Sequence, residues 1–258
     1  MRKGKVYLVG AGPGDPKLLT VYGLECIQKS DVIVYDRLVN SQLLEHAKKS
    51  AELIYCGKSP GNHHLIQEEI HQILIEKSLE GKMVTRLKGG DPCVFGRAGE
   101  EAEILAQNNI QYEIVPGITA GIAAAAYAGI PVTHRDFASS FAVITGHGRD
   151  QEGKDSLNWP ALATGIDTLA FYMGIANLDS ICEKLIANGR NEKTPVAVIE
   201  WGTTNNQRTL TGTLETIHQL VVEKNIQNPA IVLVGEVVRL REKIKWYEKI
   251  LETEIIMH

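Results

Sequence analysis

The chain has no stretch that approaches the about 18 consecutive apolar residues a membrane span needs. Its longest apolar run, Ile118 to Ile130, is rich in Ala and Gly and predicts a buried helix. Cysteine is sparse: Cys26, Cys56, Cys93 and Cys182 are scattered, with no Cys-x-x-Cys pair. That spacing supports neither a disulfide framework nor a thiolate zinc site, so free thiols in a cytoplasmic protein are expected. His63, His64 and His71 bracket a helix, but no cysteine or carboxylate spacing completes a metal site, and none is expected. The basic opening Met1-Arg2-Lys3-Gly4-Lys5 leads into no leader-type apolar region or cleavage site. Nor is positive charge in excess: 27 Lys and Arg stand against 31 Asp and Glu, for a net charge of -4. A general nucleic-acid partner is therefore disfavoured, whereas a local basic patch can still hold an anionic small molecule. Repeats and low-complexity tracts are also missing.

What is present is an ordinary globular composition, 44% hydrophobic and 22% charged, long enough at 258 residues for one large or two moderate domains. Val6–Val9, Asp31–Asp36 and Met83–Leu87 read as strands. Leu18–Lys29, with Thr20 as N-cap, and His64–Leu79, with Gly81 as stop, carry helical spacing. Strands alternating with helices predict a largely parallel sheet covered on both faces, with ligands at the carboxyl ends of its strands. The composition breaks at Pro131 to Ser140. Beyond it, strand candidates recur at Phe141–Thr145, Thr168–Tyr172, Val196–Glu200, Gln207–Gly212 and Ala230–Val234, with helices over Leu178–Asn188 and Leu214–Glu223. The division expected is an N-terminal α/β domain over 1–133, a mixed-strand α/β domain over 134–245, and a charged tail over 246–258.

Glycine-rich or charged turns follow the runs ending at Val9, Tyr35 and Leu87. The first, Gly10-Ala11-Gly12-Pro13-Gly14-Asp15, departs from the dinucleotide fingerprint, which wants glycine where Asp15 stands. Asp15 would repel a pyrophosphate, and Pro13 removes one backbone N–H. Both are tolerable beside a nucleoside ligand without phosphates. Asp36, at the end of the second strand, is open to two readings: a ribose-binding carboxylate, or a base.

These motifs resemble the tetrapyrrole methylase family. The resemblance is carried by Val9–Asp15, Leu18-Leu19-Thr20 and Tyr35-Asp36-Arg37-Leu38-Val39; by Leu87–Pro92 with Val94–Arg97 and Glu100-Glu101; and by Val115–Ala120. Further matches are Pro131–Arg135, Thr145-Gly146-His147, Tyr172-Met173-Gly174, and Gly202-Thr203-Thr204 with Gln207-Arg208. They run in order through nearly the whole chain; Ala98 stands where the family has glycine. The resemblance implies two α/β domains with the active site in the cleft between them, S-adenosylmethionine as methyl donor, S-adenosylhomocysteine as product, and a homodimer. It implies cofactor contacts at Pro13, Gly89, Gly90, Asp91, Val94, Thr119, Ala120, Met173 and Gly202. Asp36 matches a proton acceptor and Lys58 a proton donor.

The Cys56-Gly57-Lys58 turn and the Gly96–Glu101 run resemble most the members that methylate uroporphyrinogen III on carbon, twice, to give precorrin-2 for sirohaem or cobalamin. So carboxylate-rich a substrate calls for cations. Arg37 and Arg97 are the substrate-binding candidates, with Arg86, Lys88, Arg135 and Arg149 as further ones. The rival readings are a later precorrin methyltransferase or diphthine synthase, and, from another class, a nucleotide-binding regulatory protein.

Overall fold

A computed structural model describes residues 4–57, 66–147, 156–248 and 250. The chain divides into two compact units, 1–119 and 120–258.

In the first unit, β1 (Lys5–Gly10), β2 (Val32–Tyr35), β3 (Glu52–Tyr55), β4 (Met83–Lys88) and β5 (Gln111–Val115) form one sheet in the order β3-β2-β4-β1-β5. All its neighbours pair in parallel. Side chains alternate across a strand, so each face buries its own set. Val6, Leu8, Val32, Val34 and Val84 pack on α2 (Gln67–Leu79) and α3 (Ala98–Gln107), while Tyr7, Val9, Ile33 and Leu87 meet Cys26 and Ile27 of α1 (Val21–Lys29). Thr20 caps α1 by accepting the Gly23 N–H at 3.0 Å, as its sequence position predicts. Leu18, expected as the start of that helix, belongs instead to a separate tight turn, Pro16–Leu18, capped by Asp15.

The second unit holds α4 (Ala120–Tyr127), β6 (Phe141–Thr145), α5 (Trp159–Gly165), β7 (Thr168–Tyr172), α6 (Leu178–Ala187), β8 (Pro195–Glu200), β9 (Arg208–Thr213), α7 (Ile217–Glu223), β10 (Ala230–Val234) and α8 (Arg241–Ile244). Its sheet runs β6-β7-β10-β8-β9; β6 and β7 are parallel and the other pairs antiparallel. The mixed sheet and its five strands agree with the expectation. The central strands β7, β8 and β10 are almost wholly buried, and a fully buried Leu or Phe such as Leu169 or Phe171 contributes about 1.5–3 kcal/mol.

Two boundaries differ from the sequence reading. The unit boundary falls before the Ala-rich helix instead of after it, because Ala124, Ala125, Ala128 and Ile130 pack on Ala170, Ala197, Ile199 and Leu233 of the second sheet. The start of the expected tail is anchored. The Trp246 indole N–H donates to the Ala126 carbonyl at 2.9 Å, and Tyr247 packs on Tyr127.

Candidate active site

The strand order explains why motifs far apart in sequence meet. Chain growth carries the sheet from β1 outward to β3; β4 then returns beside β1, and β5 takes its other side. The turns leaving β1, β4 and β5 are thus neighbours at the carboxyl edge, where the order reverses and ligands bind in such sheets. The Ala11 N–H donates to the Lys88 carbonyl at 2.7 Å. Gly12 and Gly90 exchange backbone bonds, Gly90 donating at 2.7 Å and Gly12 at 3.2 Å. Both take positive φ, 77° and 70°, which glycine adopts without a Cβ penalty. Asp91 ties the third loop in: one carboxylate oxygen accepts the Cys93 N–H at 2.8 Å and the other the Gly117 N–H at 2.9 Å. There is no room for side chains between the loops. A Cβ on Gly10 would lie 2.6 Å from the Gly117 Cα, and one on Gly117 would lie 2.3 Å from the Gly90 oxygen.

This closure bears on the ligand. The amides of Ala11, Gly12 and Gly90 are spent on neighbouring loops, Pro13 has none to offer, and Asp15 holds the Lys17 N–H at 2.9 Å. A phosphate would find few donors here, so the loops suit a nucleoside ligand without phosphates. Gly89 lies against Leu38, which follows β2, and Val94 donates its amide to the Asp91 carbonyl. Thr119 is buried at the end of the third loop. Gly89, Gly90, Asp91, Val94 and Pro13 are therefore all on one sheet edge, with Asp36 beside them.

Asp36 leaves the end of β2 with its side chain 29% exposed. Its Oδ1 accepts the Leu38 N–H at 3.0 Å, and its Oδ2 faces the Arg86 guanidinium at 3.8 Å. Arg37 next to it is exposed. Gly57, leaving β3, packs so closely that a Cβ would come within 2.9 Å of the Arg37 nitrogen. Lys58, His63, His64 and Arg149 lie outside the described residues. Arg97 is exposed at the head of α3, in the left-handed conformation (φ 58°), and clasps Glu100 with bonds of 2.8 and 2.6 Å. Part of its charge is thus answered within the protein.

Arg86 and Lys88 are not the open substrate cations their type invites. Alternation on β4 points both beneath α3, each 4% exposed, where Glu101 meets them: Lys88 Nζ at 2.7 Å and Arg86 Nε at 3.3 Å. Burial, with Arg86 beside it, pushes the Lys88 ammonium below the ordinary lysine range. Glu101 has no role in the sequence reading, although a signal was available: it shares the buried stripe Ala98, Glu101, Ala102, Leu105 of α3. An acidic residue on such a stripe implies a buried partner.

In the second unit, Met173 follows β7 with positive φ (55°) and is 45% exposed. Gly202 follows β8 between Trp201 and Thr203, which also have positive φ. A Cβ there would lie 2.4 Å from the Ala124 Cβ, so α4 packs against glycine by necessity. Ala120 starts α4, where the Tyr172 hydroxyl accepts the Gly121 N–H. His134 accepts the Asp136 N–H and His147 pairs with Asn177, which are structural uses of those rings.

Comparison with known proteins adds the family. The profile described as Tetrapyrrole (Corrin/Porphyrin) Methylases matches residues 5–218. A uroporphyrinogen-III C-methyltransferase of Priestia megaterium is 60% identical over 235 residues, 91% of this chain and 98% of that protein. One of Bacillus subtilis (strain 168) is 55% identical over 251 residues, 97% of each. Among solved structures, the uroporphyrin-III C-methyl transferase of Thermus thermophilus complexed with S-adenyl homocysteine superposes with a TM-score of 0.77 at 37% identity, covering 92% of this chain and 100% of that one.

Proposed function

The chain belongs to the tetrapyrrole (corrin/porphyrin) methylase family, and from that premise we propose an S-adenosylmethionine-dependent C-methyltransferase acting on uroporphyrinogen III. The single observation that carries the cofactor is the closure of the three loops at the carboxyl edge of the first sheet, which consumes the amides a phosphate would need. Full-length coverage by relatives of that activity supports the substrate.

When bound, S-adenosylmethionine supplies an electrophilic methyl group on a sulfonium. The residues that would hold it are Pro13, Gly89, Gly90, Asp91, Val94, Thr119, Ala120, Met173 and Gly202. Catalysis then rests mainly on positioning, which can be worth about 7–11 kcal/mol in favourable cases. Every ring carbon of the substrate already bears a substituent, so the carbon that takes the methyl group has no proton to lose. The cation left after methylation sheds one from a neighbouring position of the macrocycle, and Asp36, part exposed at the loop edge, is the proposed acceptor. Lys58 donates a proton or holds a substrate carboxylate. Arg37 and Arg97 receive carboxylates of the substrate. Two rounds give precorrin-2, which serves sirohaem or cobalamin synthesis, and the working form is a homodimer.

Mass spectrometry of the product from uroporphyrinogen III and S-adenosylmethionine tests this directly, with two added methyl groups expected. An unmethylated tetrapyrrole would sink the assignment. Calorimetry with S-adenosylhomocysteine and with NAD separates the cofactor reading from that of a dinucleotide-binding regulator. Light scattering at assay concentration tests the dimer.

A further inference from the structure

Glu101 is fully buried, and its partners converge on one oxygen: Oε1 accepts Lys88 Nζ at 2.7 Å, Gln67 Nε2 at 3.1 Å and Arg86 Nε at 3.3 Å. Oε2 has no partner among the described residues. The far end of the same guanidinium faces Asp36 at 3.8 Å, and its NH1 donates to the carbonyls of Leu87 at 3.1 Å and Val34 at 3.4 Å. Two cations and two carboxylates thus form one chain from the interior to the loop edge. Burying such a set is costly, and apolar replacements of similar volume are often as stable, so stability alone does not account for it.

We propose that Glu101 is a positioning residue for methyl transfer: by engaging Lys88 and Arg86 from the interior, it keeps Arg86 from closing on Asp36 and leaves that carboxylate turned toward the substrate. The inference rests on the reading of Asp36 as proton acceptor. Without the charge of Glu101, Asp36 is the carboxylate left to two buried cations, and it is drawn into a direct ion pair. Removing the Arg86 charge as well takes away the guanidinium that would close on Asp36.

The test uses the full chain with uroporphyrinogen III and S-adenosylmethionine. Glu101→Gln is expected to lower kcat by about tenfold or more while KM for S-adenosylmethionine stays within about twofold. The double variant Glu101→Gln/Arg86→Met is expected to regain most of that loss, the opposite of what two structural defects would do. Wild-type kcat in Glu101→Gln, or a double variant no faster than the single one, would overturn the proposal. Should Glu101→Gln not fold, the double variant is compared with wild type. A kcat within about tenfold supports the proposal, and a larger loss overturns it. Asp36→Asn separates the two layers. Full turnover there removes the proton-acceptor reading and this inference with it; depressed turnover without regain in the double variant removes this inference alone.

Discussion

Gly117→Ala probes the loop closure most directly. A Cβ there would lie 2.3 Å from the Gly90 oxygen, 2.8 Å from the Gly10 Cα and 2.9 Å from the Gly10 carbonyl carbon. Carbon contacts are comfortable at about 3.5–4.0 Å, so the Gly90 carbonyl must retreat by about 1 Å or more. That carbonyl accepts the Gly12 N–H at 3.2 Å, so its retreat loosens the first loop from the second. Overpacking of this kind costs about 1–3 kcal/mol, which for a chain of this size is about 2–12 °C in Tm. If the same loops hold the cofactor, affinity for S-adenosylhomocysteine falls by about tenfold or more, since about 1.4 kcal/mol is a factor of ten. Calorimetry and thermal unfolding measure both. Gly99→Ala is the control: a Cβ there meets nothing within 4 Å, and in α3 alanine is favoured over glycine by about 0.8–1.0 kcal/mol, so its Tm should hold or rise. Wild-type affinity and Tm in Gly117→Ala would refute the closure argument.

Asp36→Asn should cut turnover by about 10²–10⁴-fold while S-adenosylhomocysteine still binds, as followed by calorimetry beside single-turnover kinetics. Arg37→Ala should raise KM for uroporphyrinogen III by about three- to tenfold, and Arg97→Ala by less, because Glu100 already neutralises part of Arg97; steady-state kinetics ranks the two. Asp167 offers a pH test in the second unit. Its carboxylate accepts the N–H and hydroxyl of both Ser139 and Ser140, and the Ser139 amide bond foremost holds its pKa below the ordinary range. A depressed folded-state pKa stabilises fully above the unfolded value of about 3.9, and the stability is lost as pH falls through the folded one. Asp167→Asn should therefore melt below wild type near pH 6, with the gap closing below about pH 4. A gap independent of pH would refute this.

Local chemistry made most of the elements legible. Alternating or continuous apolar runs marked β1, β2, β4 and all five strands of the second sheet, and Thr20 marked the start of α1. The edge strands β3 and β5 escaped because they are short and largely exposed, so they carry little apolar signal. Helix α4 was visible as a helix but was given to the wrong side of the boundary. Its small residues do not say which sheet they will pack on, and only the contact with Ala170, Ala197 and Leu233 decides it.

The site divides along the same line. The sequence by itself determined that Gly10–Asp15 disfavours phosphate, that the ordered motifs are those of the tetrapyrrole methylases, and that Asp36 ends a strand beside them. Those are properties of residues and their near neighbours. Only the tertiary structure decided that the turns after β1, β4 and β5 are braced by Gly12–Gly90 and Asp91–Gly117 bonds. It also decided that Arg86 and Lys88 are buried against Glu101 instead of offered to substrate, and that Arg97 is engaged by Glu100. A charge in a sequence has no environment: its role depends on which side chains the strand order and helix packing bring within a few ångströms, and on how much water they exclude.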